Sequence, residues 1–320
     1  MRAVRITGPG TAEVVTVEAP RPADGEVLVA VAAAAVCTTD RKLTARGGLP
    51  GRTPGHEAAG YLPDGTPVGV HPDTGCGHCP ACLAGRTNLC PDKVSIGIDR
   101  DGGFAGWVTV PAAHAVPLEG VPVELAPMLE PLACCVHAVS RVGDFDGPAV
   151  VVGAGAMGIF LMWALQADGH RVAVSQATAS RREQATALGA DVVMSPEEDV
   201  RRVLGEAPDA VFVTAPGAEA LAWALENVAD GGAVHAFAGT PGGALIDANL
   251  IHYRHLRLVG STGSGLVDYR QARYLVRRGA VDLARLPHTR TDLDGAPAAM
   301  ADAGETEHLR VLIDITGADR

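Results

Sequence analysis

Residues 148–158 read PAVVVGAGAMG, a short apolar run that passes directly into three glycines. Gly153, Gly155 and Gly158 form the pattern Gly-x-Gly-x-x-Gly at the junction between a strand and a helix. Glycines at these positions let a pyrophosphate approach the backbone, and the helix N-terminus that follows favours its negative charge. The stretch predicts the first strand, turn and helix of a dinucleotide-binding unit; a tight turn without a ligand is the alternative.

Six short apolar runs mark the middle of the chain, and helix-length segments separate them. They are AVVV, RVAV, DVVM, DAVFV, AVHAFA and LRLV. Buried parallel strands alternate with helices in this way in a doubly wound sheet. The sequence therefore predicts an α/β fold with a Rossmann-type, doubly wound parallel-sheet domain over residues 131–265.

The parts of the chain before and after residues 131–265 have a different pattern of apolar residues. Residues 1–120 contain short alternating segments such as VRI, EVVTVEA and EVLVAVAAAAV, broken by Gly and Pro, which predict a β-rich domain. The amphipathic segment YRQARYLVRRG and the strand-like LRVLIDIT at the end of the chain are expected to return to it. We predict a first domain made of residues 1–130 and 266–320.

Charge and hydrophobicity argue against two classes of partner. The formal net charge is -11, whereas nucleic-acid binding requires clustered Lys and Arg. No apolar run approaches the roughly 20 residues of a membrane helix, and the start MRAVRITGPG lacks the apolar core of a signal peptide. We expect a soluble, cytoplasmic protein without nucleic-acid or membrane partners.

Four of the seven cysteines fall within CGHCPACLAGRTNLC at residues 76–90. Cys76, Cys79 and Cys82 are spaced by two residues each, and Cys90 follows after seven more. In a reducing compartment this spacing favours a metal, and four thiolates suit a closed, structural zinc site. An iron–sulfur cluster fits the proline after the last cysteine but not the seven-residue gap. A redox pair or a set of solvent-exposed thiols would also be compatible with the stretch.

Two further stretches carry groups that can bind a metal: VCTTDRK with Cys37, and PGHEAAG with His56 and Glu57. Taken singly, such residues are usually packed apolar groups or ordinary pairs. Together with the cysteine stretch and the glycine loop, in this order, they resemble the zinc-dependent medium-chain alcohol dehydrogenases. DGGFAGWVTVP at 101–111 and LEPLACCVHAV at 129–139 are similar to segments of that family, and the resemblance spans almost the whole chain.

The resemblance implies a GroES-like catalytic domain with a catalytic zinc as well as the structural one, two per chain. Cys37 and His56 match its ligand positions, and Glu57 matches a carboxylate that ligates directly or supports the ligands. Glu130 stands where simple alcohol dehydrogenases have Cys, as in the sorbitol and polyol branch. An open position on that zinc would polarise a substrate oxygen while hydride passes to or from the nicotinamide.

The family also implies a path for the proton. Thr39 is similar to the hydroxyl that starts a relay towards solvent. Many members end that relay with a His three residues later, and this chain has Lys42 there. Lys42 is expected to pass the proton or bind a polar substrate, with a solvated surface lysine as the alternative.

The expected acid on the adenosine ribose is missing from this chain. The end of the second strand, in RVAVSQATASRRE, carries Gln176, with Arg181 nearby. No carboxylate at this position repels the 2′-phosphate of NADP, so we expect NADP to bind at least as well as NAD. The alternative is that the arginines of this segment only face solvent and do not bind the phosphate. The remaining residues expected to contact the cofactor are Ala156, Met157, Thr214 and Ser261.

These features predict a zinc-dependent oxidoreductase for a secondary alcohol or ketone, of the polyol, sugar or aminocyclitol class. A zinc-assisted reductase of a hydrophobic aldehyde or ketone is one competing hypothesis. A zinc-free reductase is another, as is a non-catalytic or redox-neutral member of the same fold. The resemblance implies a homodimer or homotetramer, with the contact expected at the edge strand around AVHAFA to LRLV.

Overall fold

The computed structural model describes residues 1–48, 50–301 and 308–315. The strands, numbered in chain order, are β1 (Arg2–Gly8), β2 (Thr11–Thr16), β3 (Glu26–Ala35), β4 (Glu57–Tyr61), β5 (Pro67–Val70), β6 (Asp73–Thr74), β7 (Val94–Ser95), β8 (Trp107–Pro111), β9 (Ala115–Pro117), β10 (Ala149–Val152), β11 (Val172–Ser175), β12 (Val192–Met194), β13 (Ala210–Val213), β14 (Ala233–Ala236), β15 (Arg257–Gly260), β16 (His288–Asp292) and β17 (Arg310–Asp314).

The α-helices, also in chain order, are α1 (Thr38–Ala45), α2 (Pro80–Leu83), α3 (Leu129–Val142), α4 (Ala156–Ala167), α5 (Ala179–Ala187), α6 (Val200–Leu204), α7 (Ala218–Asn227), α8 (Ala248–Tyr253), α9 (Leu266–Arg277) and α10 (Ala296–Ala301). Single 3₁₀ turns lie at Thr87–Leu89, Ala112–His114, Ala126–Met128 and Leu283–Arg285. Among the helices of the described ranges, none is long and apolar enough to cross a membrane.

The chain divides into two compact units. Among the described residues, the first consists of 1–48, 50–133, 264–278, 282–301 and 308–315. The second consists of Cys134–Gly263 and Gly279–Val281.

The first unit is built around a mixed sheet with β3 near its centre. The strand order is β16-β17-β3-β4-β5-β9, and β8 pairs with the first half of β3. The second half of β3 is a fully buried run of Val and Ala, so it lies in the core of this unit. Two smaller antiparallel pairs, β1 with β2 and β6 with β7, complete the β-rich architecture that the sequence predicts.

Three strands of this sheet meet at one point. Ala35 pairs with Glu57 of β4 on one side and with Leu312 of β17 on the other. Because both neighbours run antiparallel to β3, residues after Ala35 lie beside residues that precede Glu57 and Leu312. This register brings together the end of β3, the start of β4 and the start of β17.

The turn before β4 requires a glycine. Gly55 has a φ of +101°, and a Cβ at this position would lie 2.5 Å from a ring atom of Phe104. Phe104 is fully buried, so its ring has no room to move aside. This packing fixes the backbone immediately before His56.

The second unit is a parallel sheet of six strands in the order β12-β11-β10-β13-β14-β15. Every neighbouring pair in it is parallel, and this order is that of the doubly wound dinucleotide-binding fold. The central strands are buried, as expected for apolar runs that helices cover on both faces. The predicted Rossmann-type sheet is therefore confirmed, with all six predicted strands in it.

Two buried histidines lie side by side in the first unit, after β5 and before β9. His71 Nε2 is 3.1 Å from the carbonyl oxygen of Ser264, which only accepts, so we assign the His71 proton to Nε2. His71 Nδ1 then accepts, and His114 Nδ1 donates to it across 3.1 Å. Burial, reinforced by His114, lowers the pKa of His71 to about 4, against the opposing charge of Asp73. Burial also lowers the pKa of His114.

The pKa of His71 predicts a loss of stability in acid. The unfolded chain binds a proton at His71 near pH 6.5, whereas the folded chain does so only near pH 4. Because the unfolded state binds more protons in this window, the free energy of unfolding should fall as the pH decreases from about 6.5 towards 4. Between pH 7 and pH 5, His71 should account for about 2 kcal/mol, measured by urea unfolding.

His71→Gln is the matching variant, because its amide can still donate to Ser264 but does not titrate. Its stability should change less between pH 7 and pH 5 than that of the wild type. His252→Gln, at an exposed position of α8, is the control and should leave the slope unchanged. Equal slopes for His71→Gln and the wild type would contradict the assignment.

Candidate active site and cofactor site

Three groups that can bind a metal converge where β3, β4 and β17 meet. Cys37 follows β3 and caps the N-terminus of α1, while His56 and Glu57 stand at the start of β4. One ligand atom from each of Cys37, His56 and Glu57 lies within 4.8 Å of the other two. Sulfur, imidazole nitrogen and carboxylate oxygen are the donors that zinc takes in proteins, so this set fits the ion predicted for it.

His56 lies among negatively charged groups. Its Nδ1 is 3.4 Å from Oδ1 of Asp40, close enough for an ion pair but without hydrogen-bond geometry. Burial by itself lowers the pKa of His56, but Asp40 and Cys37 raise it well above its usual value. The site thus favours positive charge, which suits a divalent cation among these groups.

Asp40 joins the two segments that carry these groups. Its Oδ2 accepts a hydrogen bond of 2.9 Å from the backbone N–H of Cys37. Its Oδ1 accepts one of 3.2 Å from the backbone N–H of Gly55, next to His56. Asp40 is fully buried, so one carboxylate holds the end of β3 against the turn before β4.

Arg310 binds Glu57 inside the protein. Its Nη1 donates to both carboxylate oxygens, at 3.0 and 3.1 Å, and both side chains are almost completely buried. Burial raises the pKa of Glu57 and Arg310 opposes this effect. The pKa of Arg310 is raised by Glu57 in spite of burial, so the guanidinium keeps its charge. A buried carboxylate needs such a partner, because an unpaired buried charge is strongly unfavourable.

The other predicted catalytic residues lie around this group. Thr39 is half-buried in the first turn of α1, and Lys42 is exposed on the same helix. Glu130 is buried in the first turn of α3, but it is not among the three residues whose ligand atoms lie within 4.8 Å of one another. Its charge still reaches the site, since it contributes to the raised pKa of Arg310.

The four cysteines of residues 76–90 form a second group. Their sulfur atoms all lie within 4.8 Å of one another. Backbone N–H groups point at the sulfurs: Cys76 N–H at Cys90, Cys79 N–H at Cys76 and Cys82 N–H at Cys79, over 3.3 to 3.4 Å. A Cβ at Gly75 would lie 2.4 Å from the Cys82 sulfur, so only glycine fits there.

The pKa values of these thiols indicate that the group needs a cation between its sulfur atoms. Backbone N–H groups of His78 and Cys79 lower the pKa of Cys76 to about 6. For Cys82, the Gly77 N–H acts in the same direction, but desolvation and the neighbouring thiols raise the pKa to about 12. Four thiolates this close repel one another unless a cation lies between them. The group therefore fits a closed tetrahedral zinc site.

The glycine loop has the form that a dinucleotide requires. Gly153 has a φ of +107°, and a Cβ there would lie 2.7 Å from Thr214 Oγ1. A Cβ at Gly158 would lie 1.9 Å from the carbonyl oxygen of Gly153, whereas one at Gly155 meets nothing within 4 Å. The first and third glycines thus allow close packing, and Gly155 leaves open space at the N-terminus of α4. Ala156 and Met157 are the first two residues of this helix.

The other predicted cofactor residues lie at the same edge of the second unit. Gln176, Thr214 and Ser261 directly follow β11, β13 and β15, and carboxyl ends of parallel strands share one edge. The hydroxyl of Thr214 donates 2.8 Å to the carbonyl oxygen of Val152, so it supports the glycine loop. Ser261 Oγ is 3.0 Å from Nε2 of His235.

The two arginines of α5 have different surroundings. Arg182 donates from Nη1 to the backbone carbonyls of Gln176 and Ala177, at 2.7 and 2.5 Å, and so closes the loop after β11. Arg181 donates to the side chain of Gln184 at 3.0 Å, within its own helix. Both are half-buried, so neither is simply a solvated surface residue.

Comparison with known proteins matches this chain to dehydrogenases over both of its units. The chain matches the model of the alcohol dehydrogenase GroES-like domain over residues 23–120 and that of the zinc-binding dehydrogenases over residues 156–278. L-threonine 3-dehydrogenase of Pyrococcus horikoshii is 35% identical over 293 residues, covering 83% of this chain and 84% of the relative. D-altritol 5-dehydrogenase of Agrobacterium fabrum is 33% identical, covering 82% and 84%.

Solved structures agree with these relatives. A protein of Sinorhizobium meliloti 1021 described as a zinc-binding dehydrogenase, solved bound to NADP, has a TM-score of 0.90 and 32% identity, with 98% of each chain covered. A thermostable alcohol dehydrogenase from Pyrobaculum aerophilum has a TM-score of 0.85 and 27% identity, covering 98% of this chain and 99% of that one.

The class defined by this fold and these two metal-binding groups is that of the zinc-dependent NAD(P) oxidoreductases. This chain belongs to the zinc-dependent medium-chain alcohol dehydrogenase family. The predicted family, fold class, enzyme class and cofactor classes are confirmed.

Sequence reasoning missed two residues of the site, Asp40 and Arg310. Asp40 stands three residues after Cys37, the spacing at which a carboxylate caps the start of a helix. Arg310 opens β17, whose next three residues are apolar, and a buried arginine needs an acidic partner. The first signal was available locally, but the partner of Arg310 lies more than 250 positions away in the chain.

Loss of one cysteine of the second group should release its zinc. Cys79→Ser should lower the zinc content from two ions per chain to about one, by mass spectrometry of the native protein. The melting temperature should fall by about 5 °C or more, because a structural zinc contributes free energy of folding. Cys134→Ser, which removes a thiol outside both groups, is the control. Unchanged zinc content and melting in Cys79→Ser would refute the structural zinc site.

Proposed function

We propose that this enzyme transfers hydride between a nicotinamide cofactor and a secondary alcohol or ketone of a polyol, sugar or aminocyclitol. The observation that carries the proposal is the buried group of Cys37, His56 and Glu57, in a chain that also has a complete glycine loop. The names of the relatives support the substrate class. Threonine, galactonate and altritol each present a secondary hydroxyl within a polar molecule.

Cys37, His56 and Glu57 are the proposed ligands of the catalytic zinc. Three protein ligands leave a position open, as in other catalytic zinc sites. When bound there, zinc supplies Lewis-acid stabilisation of negative charge on the substrate oxygen. Glu130 is proposed as a further ligand or as a carboxylate that supports the site, because it is buried and electrostatically linked to Arg310.

The surrounding residues set the geometry and charge of this group. Asp40 holds the segments of Cys37 and His56 together through backbone hydrogen bonds. Arg310 favours the ionised form of Glu57 against the effect of burial and fixes the orientation of its carboxylate. Both act on the ligands rather than on substrate, so we propose them as positioning residues.

Proton transfer is assigned to helix α1. Thr39 and Lys42 are three residues apart and so lie on the same face of this helix. Thr39 is half-buried and Lys42 is exposed, so the pair spans from the interior to solvent. We propose that the Thr39 hydroxyl exchanges the substrate proton and that Lys42 passes it to water.

The two units then have separate roles. We propose that the first unit is the catalytic domain with both zinc ions, and the second is the NAD(P)-binding domain. Gly153, Gly155, Gly158 and the first turn of α4 would hold the pyrophosphate, since they lie at the carboxyl edge of the sheet. The reduced thiols that both zinc sites need support a cytoplasmic location.

We propose a homodimer formed through β15. This strand lies at the edge of the second unit's sheet, and three of its four residues are exposed. Large apolar side chains nearby in the sequence are also exposed, namely Leu245, Tyr253 and Leu258. An exposed edge strand offers unpaired backbone groups to the same strand of a second copy.

Removal of a catalytic ligand should abolish turnover without unfolding the protein. Cys37→Ser should lower kcat at least about a thousandfold, or about 4 kcal/mol, while its melting temperature stays within about 3 °C of the wild type. The assay follows reduced nicotinamide across a panel of polyols and aminocyclitols, with Cys134→Ser as the control. Wild-type turnover in Cys37→Ser would refute the ligand assignment. Turnover without net change of the nicotinamide would favour a redox-neutral reaction instead.

Cofactor choice should respond to Gln176. An acid there would accept bonds from the ribose hydroxyls and repel a 2′-phosphate, whereas glutamine repels nothing. Gln176→Asp should shift the ratio of kcat/KM values towards NAD by about tenfold to a hundredfold, or about 1.4 to 2.7 kcal/mol. Steady-state kinetics with both cofactors is the measurement.

Arg181→Ala should weaken NADP more than NAD, because a guanidinium can bind the extra phosphate. Arg202→Ala, at an exposed position of α6, is the control. A wild type already strongly selective for NAD, with no response to Gln176→Asp, would refute the argument.

A further inference from the structure

A histidine lies inside the parallel sheet of the second unit. His235 is in β14, whose other residues are apolar, and it is completely buried. Its ring packs against Phe212 of β13 and against Phe237, with ring centroids 5.7 and 5.9 Å away. A buried polar group in an apolar strand costs free energy, so its presence here indicates a role beyond packing.

His235 forms a hydrogen bond with a residue at the carboxyl edge of this sheet. Its Nε2 is 3.0 Å from Oγ of Ser261, which directly follows the neighbouring strand β15. Nδ1 has no hydrogen-bond partner within the described ranges. Burial, together with His137 and Arg141, lowers the pKa of His235 to about 4, so the ring is neutral at neutral pH. The bond to Ser261 fixes the position of Oγ, whichever of the two atoms donates.

The strand order indicates which half of a dinucleotide would lie near Ser261. Gln176 follows β11, at the place where the adenosine ribose binds in this fold, and the glycine loop that follows β10 suits the pyrophosphate. β11 and β13 flank β10 on opposite sides, and β14 and β15 continue the sheet beyond β13. With the adenosine half over β11, the nicotinamide half extends over the carboxyl ends of β13, β14 and β15.

Three residues directly follow these strands, and their side chains differ in what they offer a ligand. Thr214 after β13 already donates its hydroxyl proton to the carbonyl oxygen of Val152. Phe237 after β14 has an apolar ring. Ser261 after β15 is half-buried, and its hydroxyl can form further hydrogen bonds besides the one with His235. Of the three, Ser261 is therefore the residue that suits the amide group of a nicotinamide.

We propose that Ser261 binds the carboxamide of the nicotinamide and that His235 is the positioning residue that holds its hydroxyl for this contact. The inference rests on the cofactor role proposed above for the second unit. His235 is completely buried, so it acts through Ser261 and does not touch the cofactor. A bond to the carboxamide restricts rotation of the nicotinamide ring and so helps to orient it for hydride transfer.

The test is a double-mutant cycle in which cofactor affinity is measured. The zinc-loaded full chain is titrated calorimetrically with NAD or NADP, whichever the wild type binds more tightly, and with the same nucleotide without its nicotinamide ring. Ser261→Ala and His235→Phe should each weaken binding of the complete cofactor about fivefold, as expected for one hydrogen bond. Binding of the nucleotide without the ring should stay unchanged. The double variant should bind the cofactor as each single variant does, because both changes remove the same contact.

Two further variants separate this contact from packing. His235→Phe keeps an aromatic ring beside Phe212 and Phe237, whereas His235→Gln keeps a group that can bond to Ser261. His235→Gln should therefore bind the complete cofactor more tightly than His235→Phe does. Ser140→Ala, at an exposed position near the end of α3, is the control and should leave both affinities unchanged.

The outcomes distinguish this inference from the proposed function. Equal cofactor affinity in Ser261→Ala and the wild type would overturn it, as would an equal loss for both nucleotides, since the defect would then not lie at the nicotinamide. Additive losses in the double variant would overturn the role of His235, because its effect would then not pass through Ser261. A wild type that binds neither nucleotide would instead contradict the cofactor role of the second unit.

Discussion

The backbone register of three strands determines where the chemistry of this protein lies. Ala35 of β3 pairs with Glu57 on one side and with Leu312 on the other. This pairing places Cys37 beside the start of β4 and beside Arg310 at the start of β17. A slip of one residue in either pair would turn the side chains of that strand to the opposite face of the sheet. Buried core residues on these strands oppose such a slip, so the core fixes the site.

Several ionisable groups are buried where β3, β4 and β17 meet, and most of them are acidic. Asp40, Glu57 and Cys37 supply negative or potentially negative groups, and Arg310 supplies one guanidinium. Burial raises the free energy of every unpaired charge, so this excess of acidic groups favours additional positive charge, supplied by a proton on His56 or by a cation. A divalent cation held by Cys37, His56 and Glu57 fits that requirement. The electrostatic balance and the choice of donor atoms thus lead to the same assignment.

Local sequence predicts one part of this molecule well and another part poorly. The six strands of the second unit and the glycine loop follow from short patterns, because each depends on a few adjacent residues. The cysteine group is equally local, since its four thiols fall within 15 residues. The Glu57–Arg310 pair leaves no such pattern, because its members are brought together only when β17 pairs with β3. Spacing along the chain carries no information about that contact.

Residue type also does not determine what a side chain does once it is placed. Thr214 lies at the predicted edge of the sheet, but its hydroxyl is used to hold the carbonyl of Val152, directly before the glycine loop. Arg182 lies beside the predicted ribose site, but it closes the backbone after β11. Both residues shape the cofactor edge through the backbone. The form of the glycine loop therefore depends on the neighbouring strand β13 as well as on its own glycines, because Gly153 packs directly against Thr214.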